Sequence, residues 1–434
     1  MKIAVIGGGG VRTPLLVNGL TQSVLPIDEI ALFDVDQDRL SVIASLARSF
    51  AGSVRPYADA RACVSGASFV FLSIRVGGIA ARVRDEAIAG AHDTVGQETV
   101  GAGGFAMAVR TIPHAVEYAR LIAQEAPRAW IINFTNPVGI VTQAMTLETS
   151  ARVIGICDTP TELFEEVAHV LWLDSSRCTF DYFGLNHLGW LREAYCDGEP
   201  QLARLWQDPS LLSRIYRAPL FDAAFLQTER LLPTEYLFYY YSPRAAIENI
   251  RRAGQTRADA IARLNEQLFR DLAGAGADRR VIYERYLQAR SAGYMQIESG
   301  ASQPIERSAS STSLARPTGY DKIALSVVRA IHFNTNAIIP LNVQNHGTLP
   351  DLDDRDIVEV PCVVNANGAH PLNVKPVPAH PRELLVRVKE YERLTVAAAT
   401  TRSRDTAERA LTHNPLVAEP ALARTLVDAM EPLW

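Results

Sequence analysis

At 434 residues the chain exceeds what one hydrophobic core usually supports, so two domains are expected. Hydrophobic residues make up 48% and charged residues 21%, the balance of a soluble globular protein, and a formal net charge of -5 argues against nucleic-acid binding, which calls for a basic face. No apolar run approaches the roughly 18 residues that cross a bilayer, and the apolar start runs into four glycines with no A-x-A cleavage pattern. The five cysteines, Cys63, Cys157, Cys178, Cys196 and Cys362, are odd in number and lack the spacing of a zinc module. Reduced thiols and a cytoplasmic location follow as expectations, with neither nucleic acid nor membrane as partner.

From the N-terminus, Lys2–Ile6 reads as a buried parallel strand. Gly7-Gly8-Gly9-Gly10-Val11-Arg12 reads as the tight turn that brings a pyrophosphate to the start of the next helix. Gly7 and Gly9 fit the first two glycines of G-x-G-x-x-G, while Arg12 stands where the third would be, so looser packing of helix on strand is expected there. A second strand, Glu29–Phe33, ends at Asp34, whose carboxylate suits both ribose hydroxyls and repels a 2′-phosphate, favouring NAD over NADP. Further strands are expected over 69–74, 130–134 and 153–157, with helical patterns over 40–50 and 114–125. This rhythm means an α/β chain with a Rossmann-type, doubly wound parallel sheet over residues 1–180.

Beyond 180 the pattern changes. Residues 180–187 read as a strand, long helices follow to 341, a β segment covers 357–364, and helices over 381–401 and finally 404–411 close an α+β domain spanning 181–434. The stretch 300–319, rich in Ser, Ala and Pro, is expected to be the most mobile.

Ligands of such sheets bind beyond the carboxyl ends of the strands, which points to the loops 75–78, 133–137 and 155–160. Asn136, before Pro137, can hydrogen-bond a ligand hydroxyl or serve as a plain Asn-Pro turn. Cys157 and His187 can share a divalent metal whose shell substrate oxygens complete; a buried thiol and a lone histidine are equally at home in a core. Residues 236–241 form a tyrosine-rich run, in which a phenol base, with an ordinary pKa of about 10, would need positive charge nearby; core packing is the plainer reading. Arg251, Arg252 and Arg257 can hold a phosphate or form a solvated face. Asp158, ahead of Thr159-Pro160-Thr161-Glu162, has the form of a helix N-cap.

These elements in this order resemble glycoside hydrolase family 4, the NAD- and divalent-metal-dependent glycosidases, and especially its 6-phospho-β-glucosidases, a family outside the usual two-carboxylate scheme. The segments that carry the resemblance are IGGGGVRTP, FDVD, RVGGIAARVRDE, VGQETVGAGGFAMAVR, NFTNPVGIVTQA, GICDTP, FGLNHLGW, EYLFYY, VEVPC and YERLTVAAA, and they run nearly the whole length. The resemblance implies a lactate-dehydrogenase-like fold and hydrolysis of a 6-phospho-β-glucoside by transient NAD-dependent oxidation at carbon 3, proton abstraction at carbon 2, elimination and water addition. It implies Cys157 and His187 as ligands of a metal, usually manganese, Tyr236 as the base and Asp158 as the acid. Arg82, Asn136 and Arg257 would bind a phosphorylated disaccharide or glycoside, and Gly7, Gly9, Gly10, Val11, Arg12, Asp34, Arg39 and Ser73 would line the NAD site. Many β-specific members carry asparagine where Asp158 stands, and aspartate there resembles the 6-phospho-α-glucosidases, so the α anomer is the first alternative. A plain NAD-dependent hydroxy-acid or sugar dehydrogenase and a noncatalytic NAD-binding regulator are the others. Family members tend to form homodimers or homotetramers.

Overall fold

The computed structural model describes residues 1–216, 220–274, 276, 278–301, 314, 317 and 319–430; the stretch 300–319 lies for the most part outside them. Short segments, apolar except for β3, form parallel strands β1 (Lys2–Ile6), β2 (Glu29–Phe33), β3 (Val54–Tyr57), β4 (Phe69–Leu72), β5 (Trp130–Asn133) and β6 (Arg152–Gly155). They lie in the order β3-β2-β1-β4-β5-β6. This is the Rossmann arrangement, and its ligand crevice opens where the strand order reverses between β1 and β4. Val5 pairs with Leu32 on one side and Phe71 on the other, and all three are buried. β3 carries no strand signal in the sequence, because Val-Arg-Pro-Tyr has no apolar run; its Pro56 is tolerated because β3 is an edge strand.

The helix expected over 114–125 begins earlier and spans Gly101–Glu125, with Pro113 inside it. Its first turns press on the preceding loop: a Cβ at Gly103 would lie 2.5 Å from the Gln97 carbonyl oxygen, and one at Gly104 2.5 Å from the Thr99 carbonyl carbon. The glycines of VGAGGF thus fix the loop that carries Gln97, Glu98 and Thr99.

In the second half, β7 (Cys178–Leu185) and β8 (Leu188–Cys196) form an antiparallel hairpin, and the two-residue strands β9 (Glu199–Pro200) and β10 (Leu232–Pro233) pair with β8. Strands β11 (Ala337–Gln344), β12 (Ile357–Asn365) and β13 (Gly368–Pro371) extend the parallel sheet beyond β6 in antiparallel fashion, giving nine strands among the described residues. The join is the single pair Asn342↔Gly155. Sheet and main core therefore run across residue 180. Two expectations are corrected here. The helical stretch gives way to β11 at Ala337, before 341, and the helix Arg404–His413 is followed by another, Pro420–Met430, which buries Ala423, Leu426, Val427 and Met430 at helical spacing. No described helix is long and apolar enough to cross a membrane.

Candidate active site

A cavity of about 530 Å³ opens beyond β1, β2, β4 and β5, lined by Gly7, Gly9, Gly10, Val11, Arg12, Asp34, Arg39, Ser73 and Asn136 among others. Gly7 has φ +88°, and a Cβ there would lie 2.1 Å from the Ser73 carbonyl oxygen, so only glycine fits. The Gly7 and Gly8 amides both donate to the Phe33 carbonyl, at 2.9 and 2.7 Å, which draws the turn onto β2. Asp34 is fixed at the rim by backbone donors: Oδ2 accepts from the Gly9 amide at 2.9 Å and Oδ1 from the Asp36 amide at 3.0 Å. Arg12 caps the helix Thr13–Gln22 at φ -90°, a conformation that needs no glycine, and its guanidinium lies 4.1 Å from the Tyr320 ring centroid. Arg39 stacks 4.3 Å from Phe269 in the same way. The peptide between Asn136 and Pro137 is cis. Asn136 Oδ1 is buried and finds no hydrogen-bond partner among the described residues, so the side chain offers an acceptor to a bound hydroxyl.

Three further residues come from separate elements, and two of them meet in the structure. Cys157 follows β6 and is buried; His187, also buried, sits at φ +62° in the two-residue turn between β7 and β8, a conformation histidine tolerates better than most residues. Its ring stacks on Tyr236, with centroids 3.6 Å apart and planes at 5°. Tyr236 lies in the 3-10 turn Glu235–Leu237, within electrostatic reach of Cys157.

The tautomer of His187 follows from its neighbours. Nδ1 lies 2.6 Å from Thr99 Oγ1. Gln97 Oε1 accepts from the Thr99 amide at 2.6 Å, from Thr99 Oγ1 at 2.7 Å and from the Val100 amide at 3.2 Å. With its proton given to Gln97, the Thr99 hydroxyl can only accept from His187. Nδ1 therefore carries the ring proton and Nε2 keeps a lone pair, the form in which imidazole ligates a metal.

Burial pushes the His187 pKa down to about 3, against the pull of Glu98, so the ring is neutral. Burial raises the Cys157 thiol well above its ordinary range, with Glu359 and Asp158 adding to the rise. It also raises the Tyr236 phenol, opposed by a hydrogen bond with Tyr294 and reinforced by Glu235 and Cys157. All three groups are thus uncharged in the protein alone. Among the described residues no cluster of three or more His, Cys, Asp or Glu could hold a metal. A cation at Cys157 and His187 would therefore have open positions, as catalytic rather than structural sites do.

Glu359, whose charge reaches Cys157, is held by Tyr182 Oη at 2.8 Å, Asn342 Nδ2 at 2.8 Å and Asn186 Nδ2 at 3.2 Å, and burial still pushes it up to about 7. Asp158 does not act as the N-cap that the sequence suggests. Its backbone is helical (φ -83°, ψ -21°) where side-chain capping favours an extended one, and it makes no capping bond. Its carboxylate turns toward Gly319, where a Cβ would come within 3.1 Å of Oδ2, and its charge acts on Tyr320.

The arginines divide. Arg82 is buried, with Nε 2.7 Å from Glu86 and Nη1 2.5 Å from Glu98. Arg75 pairs with the other Glu98 oxygen. Burial works to raise the Glu98 carboxyl, but Arg75 and Arg82 overcome it and keep the group ionised. Arg257 begins the helix Arg257–Gly274 and donates to the Arg290 carbonyl at 2.7 Å; burial and the Arg290 charge push it down to about 10. Arg251 and Arg252 are exposed, pairing with Asp93 and Asn249, and form the solvated face. Glu98, Arg290 and Tyr320 line the cavity and were not singled out from the sequence, nor was Thr99; Glu98 and Thr99 lie inside the segment VGQETVGAGG, so the signal was present there.

The fold defines a class first. Two solved lactate dehydrogenases share it, one from a deep-sea metagenome (TM-score 0.53, 16% identity, 92% of this chain and 98% of that one) and one from Eimeria maxima (0.54, 13%, 92% and 96%). Within that class, the family model described as family 4 glycosyl hydrolase matches residues 2–173 and the model of its C-terminal domain matches 182–417. The chain belongs to glycosyl hydrolase family 4 and is a glycosidase. It is 30% identical to a probable 6-phospho-beta-glucosidase of Bacillus subtilis, over 99% of this chain and 95% of that protein. It is 28% identical to the phospho-alpha-glucosidase PagL of Clostridium acetobutylicum, over 98% and 96%. A solved 6-phospho-beta glucosidase from Thermotoga maritima, with manganese, NAD+ and glucose-6-phosphate, matches with a TM-score of 0.82 at 26% identity, covering 100% of this chain and 98% of that one.

Proposed function

We propose that the chain hydrolyses a 6-phospho-β-glucoside, with NAD and a divalent cation, manganese by preference, as resident cofactors. The observation that carries this reading is the neutral His187 ring, its Nε2 lone pair available, stacked on Tyr236, which lies within electrostatic reach of Cys157, together with a crevice built for a dinucleotide. Both cofactors fit the residues present: the Gly7 turn leaves no room for a side chain, and the thiol and imidazole are a suitable donor pair. When bound, NAD and the cation supply a hydride acceptor and a Lewis acid for transient oxidation at carbon 3 of the sugar.

The chain's own residues do the rest. Tyr236 takes the carbon 2 proton, and positive charge held at Cys157 and His187 offsets the burial that raises its phenol. Asp158 protonates the leaving oxygen at carbon 1 and then serves the addition of water. Asn136 accepts a sugar hydroxyl, and Arg82 and Arg257 meet the 6-phosphate. Asp34 holds the adenosine ribose. A phosphate ester does not cross a bilayer unaided, which supports the cytoplasm as the place of action, and a homodimer or homotetramer is the expected assembly. The β anomer is favoured by the FGLNHLGW and EYLFYY segments.

The test is an assay of both 4-nitrophenyl 6-phosphoglucoside anomers with NAD and manganese. Release of 4-nitrophenol from the β anomer without matching NADH is expected. NADH in proportion to product would make the chain a dehydrogenase, and preference for the α anomer would give Asp158 the deciding weight.

A further inference from the structure

Two thiols remain outside the chemistry above. Cys178 and Cys196 are partly exposed, whereas Cys63, Cys157 and Cys362 are buried, and neither lines the crevice. They face each other across the open end of the β7–β8 hairpin as the register pair Cys178↔Cys196. The next position outward shows which kind of pair this is. There the Asp197 amide donates to the Arg177 carbonyl at 3.4 Å. Hydrogen-bonded and non-hydrogen-bonded pairs alternate along an antiparallel ladder, so the cysteines form a non-hydrogen-bonded pair. The other edge of β8 agrees. The Ala194 carbonyl accepts from the Gln201 amide at 2.9 Å, on the side away from β7, and Cys196, two residues on, turns its peptide groups the same way.

At a non-hydrogen-bonded position the facing Cα atoms are about 4.5 Å apart and the side chains approach most closely. That spacing falls inside the window of about 4.4–6.8 Å that a disulfide spans. The Cys178 thiol is raised to about 11, by burial first and then by the neighbouring Cys196 thiol. Cys178 Sγ also lies 3.3 Å from the Asp174 carbonyl oxygen.

We propose that Cys178 and Cys196 are a reversible dithiol–disulfide pair, closed by a small disulfide oxidant such as oxidised glutathione and reopened by thiols. One cysteine thiolate attacks a glutathione sulfur and expels one glutathione thiolate. The second cysteine thiolate then attacks the protein-bound sulfur of the mixed disulfide and expels the other. One S–S bond breaks in the oxidant and one forms in the protein, the protein loses two electrons that the oxidant gains, and the two cysteine protons pass to the released glutathione. The site is placed to act on the hairpin that presents His187. The register shifts between Asp181 and Tyr182, between the cysteines and the turn. A covalent tie at the open end clamps together the two strands whose turn carries His187.

The test uses the full chain with NAD and manganese bound, equilibrated with oxidised glutathione, digested with trypsin without reduction and read by mass spectrometry. Cleavage after Arg177, Arg192 and Arg204 puts the two cysteines on separate peptides, 178–192 and 193–204. The expected product is these peptides joined, lighter than their sum by two hydrogens and separated by dithiothreitol, with the other three cysteines unmodified. The oxidised protein should melt roughly a few degrees higher than the reduced one. Cys178→Ser and Cys196→Ser should each abolish the link and the rise in Tm while leaving NAD binding unchanged. Persistent glutathione adducts without closure, a link to any other cysteine, or no link at equilibrium would overturn the proposal. The mapping is done on the wild-type chain, so it does not depend on either variant folding.

Discussion

The two ends of the candidate site, the crevice and the group of side chains outside its lining, are built from different material. At the dinucleotide end the binding groups are backbone amides and one rim carboxylate, set by Gly7, Gly9 and Asp34 over some twenty-five residues of chain. At the other end they are buried side chains from three elements, Cys157, His187 and Tyr236, each driven to its uncharged form by desolvation. The first end is complete as the chain folds. The second needs a positive charge before its thiol and phenol can work at neutral pH, which is a physical reason for pairing a dinucleotide with a metal.

Breaking the second end should have the larger effect. Tyr236→Phe is expected to cut turnover by roughly two to four orders of magnitude, the usual worth of a general base, with NAD affinity by calorimetry unchanged. An unchanged rate would remove Tyr236 as the base. Thr99→Val takes away the acceptor that fixes the His187 tautomer and should weaken manganese binding roughly 10- to 100-fold. Thr99→Ser should restore it, and equal affinity in all three proteins would refute the tautomer argument. At the first end, Asp34→Ala should shift the ratio of NAD to NADP affinity toward NADP by roughly tenfold, read by fluorescence titration, with metal affinity intact.

The smallest effect is on stability. Glu359 has a folded pKa of about 7 against an ordinary 4.5, so the folded chain holds this proton more tightly than the unfolded one. Below pH 4.5 both states are protonated and the group contributes nothing; between 4.5 and 7 the unfolded state ionises first and stability falls; above 7 the loss is complete. Its size is at most about 3 kcal/mol. Urea unfolding at pH 5 and pH 8 should show this loss in the wild type and much less of it in Glu359→Gln.

The same contrast governs what the sequence makes legible. The Gly7 turn and Asp34 depend on residues close together in the chain, so spacing alone reveals them. Cys157 and His187 as a metal pair, and a base among the tyrosines of 236–241, each stand beside an equally plain core reading until the family segments single them out, because spacing cannot say that residues after β6, in a hairpin turn and in a 3-10 turn will meet. The return of β11 to β6 rests on one pair, Asn342↔Gly155, and leaves no local signal. Tyr320 reaches Arg12 across more than three hundred residues and likewise leaves no local signal. Asp158 shows the reverse failure: its local pattern suits an N-cap, but tertiary contacts take the carboxylate to Gly319 and Tyr320.

The most direct test of proton abstraction at carbon 2 is to hydrolyse the phosphorylated glycoside in deuterium oxide and examine the released sugar phosphate by proton NMR. Deuterium at carbon 2 is expected in the wild-type product, with the label falling in step with rate in Tyr236→Phe. Full turnover with the original proton retained would contradict the elimination route and place cleavage of the glycosidic bond on a direct displacement at carbon 1.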